Sequence, residues 1–237
     1  MSGAALASAQ PVARAGLGTR IAPWLVAVAT SFVVLGAGLL AAANPWYLHG
    51  ALDRSGSDLY LGLPQDQVHA ISDSTVGELL LGTGIFAQTF RDPATGATTR
   101  FYAPTEAAHL RDAQLLARLF VAAVALSVAG LVLAVARAGD RRWLWRSIQR
   151  GAVSAAAALV VIGVLFAVAF EPAFTLFHEV FFPQGNWQFD PLEARMVQLY
   201  NEAFWNELTL VFAAASVGVA AVLWFVARSR PRASEMG

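Results

Sequence analysis

Cysteine is absent from the 237-residue chain. That excludes disulfides, thiolate metal ligands and any thiol nucleophile or thioester intermediate. If the protein moves acyl groups, it does so without a cysteine. Lysine is absent as well, so sixteen arginines alone balance sixteen acidic residues and the net charge is zero. No global field points to nucleic acid. Charge of either sign is scarce. Only 14% of residues are charged and 57% are hydrophobic, which is too apolar for an ordinary soluble domain. Other signatures are missing too. No Gly-x-Ser-x-Gly elbow surrounds Ser55, Ser57, Ser72 or Ser74, no glycine-rich phosphate loop occurs, and no charge in mid-span marks an ion path.

What is present is long apolar runs. Four of them predict membrane-spanning helices at about 21–43, 115–136 (its charge-free part begins at 119), 151–170 and 208–227. Each has the 18 or more residues that cross a ~30 Å hydrocarbon core. The fold class expected is therefore an all-α polytopic membrane protein, a single membrane domain over 1–237. Ala41-Ala42-Ala43 resembles a signal-peptide cleavage site, but the run before it exceeds a signal h-region, so the first span is read as uncleaved.

Arginine placement gives the orientation. Segments 1–20, 137–150 and 228–237 hold Arg14, Arg20, Arg137, Arg141, Arg142, Arg146, Arg150, Arg228, Arg230 and Arg232. The far longer connections, 44–114 and 171–207, are arginine-poor. Both termini are thus expected in the cytoplasm and both long loops outside. All four histidines, His49, His69, His109 and His178, then fall on the outer side.

The first outer loop predicts a cap of short helices and a β-hairpin. Leu63-Pro64 opens one helix carrying Val68 and Ile71, and Thr75-Val76-Gly77-Glu78 reads as a capping box starting another. Residues 85–91 and 97–102 flank Asp92-Pro93-Ala94-Thr95-Gly96, a hairpin pattern. Pro104-Thr105-Glu106 begins a helix that runs into the second span, with Glu106, His109 and Asp112 on one stripe. Acidic residues at a helix start are as readily explained by its dipole as by function. His109 gains nothing from that position.

In the second outer loop Glu171-Pro172 is expected to end the third span. Phe174, Phe177, His178 and Phe181 then form an amphipathic turn in the interface. An aromatic belt explains most of the Phe and Trp residues, but not His178-Glu179. Asp190 is expected to cap a further helix, with Pro191 first and Glu193 third, whose apolar stripe leads into the fourth span.

Two histidines tethered to different spans at ester depth suit proton transfer near neutrality. They also permit a two-His-one-carboxylate metal site with Glu106 or Glu179, although the second His of a zincin motif is lacking.

Residues 101–112, with Glu106-Ala107-Ala108-His109-Leu110-Arg111-Asp112, resemble the first signature of the lipoprotein intramolecular transacylase family. Phe177-His178-Glu179 through Trp187 and Phe189-Asp190-Pro191 resemble its second. The resemblance implies an O-to-N acyltransferase of the bacterial cell membrane. It would move the sn-2 acyl chain of a diacylglyceryl lipoprotein to the α-amine of the lipidated N-terminal cysteine. His109 and His178 would be the catalytic pair, with Glu106, Asp112, Glu179, Trp187 and Asp190 in support. Its partners would be lipoproteins and membrane lipid, with no cofactor and no metal. Two rivals stand beside it: a metal-dependent membrane hydrolase using the same histidines, and a non-catalytic scaffold that binds lipid or a partner.

Overall fold

The computed structural model describes residues 17–138 and 142–229, with side chains from Ile21 onward. Arg14, Arg141, Arg230 and Arg232, four of the arginines that set the expected orientation, lie outside the described residues, as do most of both tails.

Four long apolar helices form the membrane part: α1 (Leu17–Ala42), α5 (Pro104–Arg137), α6 (Arg142–Val168) and α9 (Glu202–Ser229). The protein is an integral membrane protein. Helix α1 packs against the other three, and α6 against α9. Lipid tails offer no hydrophobic drive between helices, so close approach matters, and small residues allow it. Gly151 of α6 sits against the Ala27 carbonyl and Thr30 of α1, where any Cβ would collide with backbone. Ser31 uses the same contact, donating to the Gly151 carbonyl at 3.1 Å. Along α5, Leu119, Leu126 and Val132 are exposed, as a lipid-facing surface requires.

Helix α5 has 34 residues, about 51 Å at 1.5 Å per residue, so it overshoots the hydrocarbon core. Taking 115–136 as its spanning part, the segment from Pro104 stands clear of the bilayer and enters the cap. The cap also contains α2 (Pro45–Ser55), α3 (Ser57–Leu61), α4 (Gln65–Leu81), the antiparallel strands β1 (Thr89–Arg91) and β2 (Thr98–Arg100), α7 (Phe170–Phe181) and α8 (Arg195–Leu199). It has its own apolar core, in which Leu52, Val68, Phe101, Leu110, Leu199 and Phe204 bring both loops together at one end of the bundle. Tyr47 and Arg54 of α2 both bond to Glu207 of α9, fixing cap to membrane part.

Local chemistry explains the cap elements. Asn44 caps α2 by accepting from the Trp46 N–H at 3.0 Å, with Pro45 at the first helical position. Gly56 ends α2 at φ 69°, a left-handed conformation that costs other residues free energy. Asp92 turns the hairpin by accepting from the Ala94 N–H at 2.8 Å.

Three local expectations are corrected. Residues 65–81 form one helix, not two, because Thr75 is buried and bonds back to the Ile71 carbonyl at 2.7 Å instead of capping. Glu78 instead accepts from the Ile85 N–H at 3.0 Å beyond the helix end. The third span ends at Val168, before Glu171: Pro172 excludes the carbonyl four residues back, and the chain breaks at Ala169 (φ −149°, ψ 58°). Asp190 caps a single turn, with helix α8 starting only at Arg195, and Tyr200–Asn201 separates α8 from α9. Asn201 caps α9, accepting from the Phe204 N–H at 3.1 Å.

Candidate active site

The break at Ala169 turns the chain out of α6 and into α7 at the cap end of the bundle. Its Phe174, Phe177 and Phe181 lie at i, i+3 and i+7, and His178 falls within that apolar set. The His178 Nδ1 lies 2.8 Å from the Phe174 carbonyl. A carbonyl only accepts, so Nδ1 carries the proton and Nε2 presents a lone pair.

His109 arrives on α5, held by its neighbour one turn earlier. Glu106 is buried and accepts from two backbone N–H groups, Ala103 and Met196, both at 2.7 Å. That ties the start of α5 to α8. Of the two readings open for Glu106, a dipole-favoured helix start and a supporting role, its burial and its bonds favour the second: the carboxylate holds the site's frame together.

The two imidazoles meet. Their ring centroids are 5.8 Å apart with planes inclined by 28°, and both residues are buried. Phe182 lies 4.7 Å from the His109 ring and 5.4 Å from that of His178. Phe174 and Trp187 flank His178 at 4.0 and 4.9 Å, and Phe189 flanks His109 at 5.8 Å. An apolar box around two ring bases disfavours the charged form. Burial lowers the pKa of both below the ordinary imidazole value, and the neighbouring His178 lowers His109 further. Asn186 and Asp112 act on His109 in the opposite direction.

Asp112, on the same stripe of α5, accepts from Asn186 Nδ2 at 2.6 Å and Gln184 Nε2 at 2.9 Å. It thereby pins the 183–187 turn beside the histidines. Two polar atoms in this region are buried without a partner: His109 Nδ1 and Asn186 Oδ1.

Of the residues singled out from sequence, His109, His178, Asp112 and Trp187 converge. Glu106 braces them from below. Glu179 is exposed, and the Asp190 carboxylate accepts from the Leu192 N–H at 2.8 Å within its own turn. Sequence reasoning passed over Asn186, Phe182 and the Phe174 carbonyl. The Pro183-Gln184-Gly185-Asn186 turn, with Gly185 at φ 78°, was the available signal for Asn186.

The family profile of lipoprotein intramolecular transacylase Lit matches residues 75–205, more than half of the chain and the stretch holding both histidines. The chain belongs to the Lit family. Its fold is also that of solved Lit structures. It is similar to the membrane-integral lipoprotein intramolecular transacylase Lit from Bacillus cereus, with a TM-score of 0.70 at 14% identity, covering 88% of this chain and 94% of that one. Two B. cereus Lit variants, in which a histidine is replaced by arginine or by alanine, match with TM-scores of 0.64 and 0.63 at 14% and 15% identity. Each comparison covers 88% of this chain, and 90% and 91% of the variants. No curated protein matches it by sequence. At this identity the Lit likeness carries the fold; the residue roles must come from the geometry above.

Proposed function

We propose that this protein is a lipoprotein transacylase in which His109 and His178 act as an acid–base pair on one ester. It moves the sn-2 acyl chain of a diacylglyceryl lipoprotein to the α-amine of the lipidated N-terminal cysteine, leaving a lyso form. The observation that carries this reading is the 5.8 Å approach of two buried imidazoles, one from α5 and one from α7. Rings at that separation reach opposite sides of one reacting centre, since catalytic contacts need ~3 Å or one bridging water.

The nucleophile is the substrate's own amine, which suits a chain with no cysteine. Nε2 of His178 is available as an acceptor for a proton. Holding amine and ester in one aromatic pocket supplies proximity worth up to ~7–11 kcal/mol in ideal cases. The bacterial cytoplasmic membrane, with the cap outside and both termini inside, is the location that the arginine bias supports. The single-domain reading goes with it, because cap and bundle share α5 and α9.

The metal-dependent rival has little to build on. Both Glu106 oxygens are committed to backbone N–H groups and Glu179 is exposed. Among the described residues no three His, Asp or Glu side chains are disposed around a common metal point. The deciding experiment is mass spectrometry of one lipoprotein's N-terminal peptide with and without this protein. An N-acylated lyso form of unchanged mass is expected, because the acyl group is relocated within one molecule. An unaltered diacylglyceryl peptide, or loss of an acyl chain to water, would refute the reading.

A further inference from the structure

The two unpartnered buried atoms beside the histidines complement each other. His109 Nδ1 is a ring nitrogen that can carry a proton; Asn186 Oδ1 is an amide oxygen that can only accept. The amide's orientation is fixed independently. Asn186 Nδ2 donates at 2.6 Å to Asp112, and a carboxylate cannot take the oxygen end of an amide as a partner. Gln184 donates to the same carboxylate oxygen and holds it in place. Asp112 therefore leaves Asn186 Oδ1 free to accept a hydrogen bond, in a pocket where an unsatisfied acceptor is costly.

We infer that Asn186, held by Asp112, is a positioning residue that sets His109 as its Nδ1–H tautomer, so that His109 and His178 both present an unprotonated Nε2. The Phe174 carbonyl fixes the His178 tautomer at 2.8 Å; a hydrogen bond from His109 Nδ1–H to Asn186 Oδ1 would fix that of His109 in the same way and would partner both orphaned atoms. This inference rests on the transacylase reading and deepens it, since a two-acceptor site fits the proton count of that reaction. The α-amine arrives as an ammonium, its ordinary pKa being about 7.7–8.0. One imidazole takes that first proton and frees the amine lone pair. The amine nitrogen then bonds to the ester carbonyl carbon. The second imidazole takes the proton that the nitrogen sheds and returns it to the glyceryl oxygen as the C–O bond breaks. The products are an amide, an alcohol and one proton, which the first imidazole releases to water. A histidine locked as the Nε2–H tautomer could not serve either acceptor role.

The test is long-range ¹H–¹⁵N correlation of the full-length protein labelled with ¹⁵N-histidine, in detergent micelles above neutral pH. Four histidines give four readable patterns, each assigned by a single His→Gln substitution. In the unmodified protein, His109 should show a protonated Nδ1 and a bare Nε2. Asn186→Leu should move His109 to the other tautomer or to a mixture and lower kcat by about 10²–10⁴-fold, as wrong-tautomer variants of other His enzymes do, with little change in KM. The exchange Asp112→Asn with Asn186→Asp keeps donor facing acceptor, and should restore the Nδ1–H pattern and part of the activity. A bare Nδ1 on His109 in the unmodified protein overturns the inference without need of any variant, and so does an unchanged tautomer in Asn186→Leu. Neither result touches the transacylase reading, which the mass spectrometry of the lipoprotein peptide tests separately.

Discussion

The rings of His49 and His69 stack face to face, their centroids 4.2 Å apart and their planes within 3°. Each is bonded to a carboxylate on the opposite helix: His49 Nε2 to Asp73 at 2.8 Å, and His69 Nε2 to Asp53 at 2.7 Å. Both helices carry the same His-x-x-x-Asp spacing, so α2 and α4 clasp through crossed pairs. The four histidines thus divide into two pairs by environment. One is half exposed and committed to carboxylates; the other is buried among aromatics with ring nitrogens to spare.

The clasp joins α2 to α4, and we expect it to take no part in the chemistry. His49→Ala or His69→Ala should leave acyl migration within a few-fold of the unmodified protein while lowering thermal stability. Exposed pairs of this kind contribute about 0.2–1 kcal/mol each. A double-mutant cycle on His49 and Asp73, read by thermal unfolding, should show coupling in that range. Loss of activity in either His variant at full stability would contradict this division.

Glu106 supports the site through backbone groups. Glu106→Ala strands the buried Met196 N–H, at about 1–3 kcal/mol for an unsatisfied donor, and removes the partner of the Ala103 N–H, which water can replace because Ala103 is exposed. Thermal unfolding should report a loss of that order. Glu106→Gln, which keeps one acceptor, should fall between the two. A Glu106→Ala protein that is fully stable yet inactive would point instead to a direct chemical role.

Much of the fold was legible in the sequence because apolar length and turn chemistry are local properties. The four charge-free runs became helices α1, α5, α6 and α9, and Asp92 through Gly96 became the hairpin turn. The errors came where tertiary packing overrode a local pattern. Thr75 and Glu78 have capping-box spacing, but burial of Thr75 carries the helix straight through. For Glu106 the local pattern left a dipole-favoured acid and a supporting residue equally open, and only the approach of Met196, 90 positions away, favours the second. The histidines stood out because an imidazole among interfacial aromatics is unusual. Asn186 did not, because its meaning depends on Asp112, 74 positions earlier.

Burial of the two imidazoles leads us to expect a particular pH dependence. Burial lowers the pKa of His109 and His178 below the ordinary imidazole value, so the unfolded chain protonates first as pH falls. Stability is therefore full above the ordinary pKa near 6.5 and declines as pH drops toward the lowered folded values. The same shift keeps both bases unprotonated into mildly acidic solution. The acid limb of kcat/KM should accordingly lie below that of a free imidazole. Thermal unfolding across that range should show a smaller acid loss in His178→Gln than in the unmodified protein. An acid limb above pH ~6.5 would contradict the burial argument.

Orientation can be read chemically, because the natural chain has no cysteine to interfere. Thr95 sits at the hairpin tip and Arg146 on the opposite end of the bundle, and both are exposed. Thr95→Cys should react with a membrane-impermeant thiol reagent in intact cells, whereas Arg146→Cys should react only after lysis. The reverse pattern would place the cap, and both imidazoles with it, in the cytoplasm.

The pairing of His109 with His178 makes the sharpest prediction. If rings 5.8 Å apart in one aromatic box act on one ester, as proposed, then removing either one removes the unit. Each of His109→Ala and His178→Ala should reduce conversion by several orders of magnitude, and the double variant should be scarcely worse than either single. Residues that act together lose most of their combined effect at the first substitution. Residual conversion in all three should be similar, set by the proximity of amine and ester in the pocket that remains. The measurement is the rate of appearance of amide-linked acyl chain on a lipoprotein peptide, followed by mass spectrometry in membranes holding equal amounts of each folded variant. Independent, multiplying losses would mean that the two rings serve separate steps or separate sites. Retained conversion in the double variant would remove the histidines from the chemistry altogether.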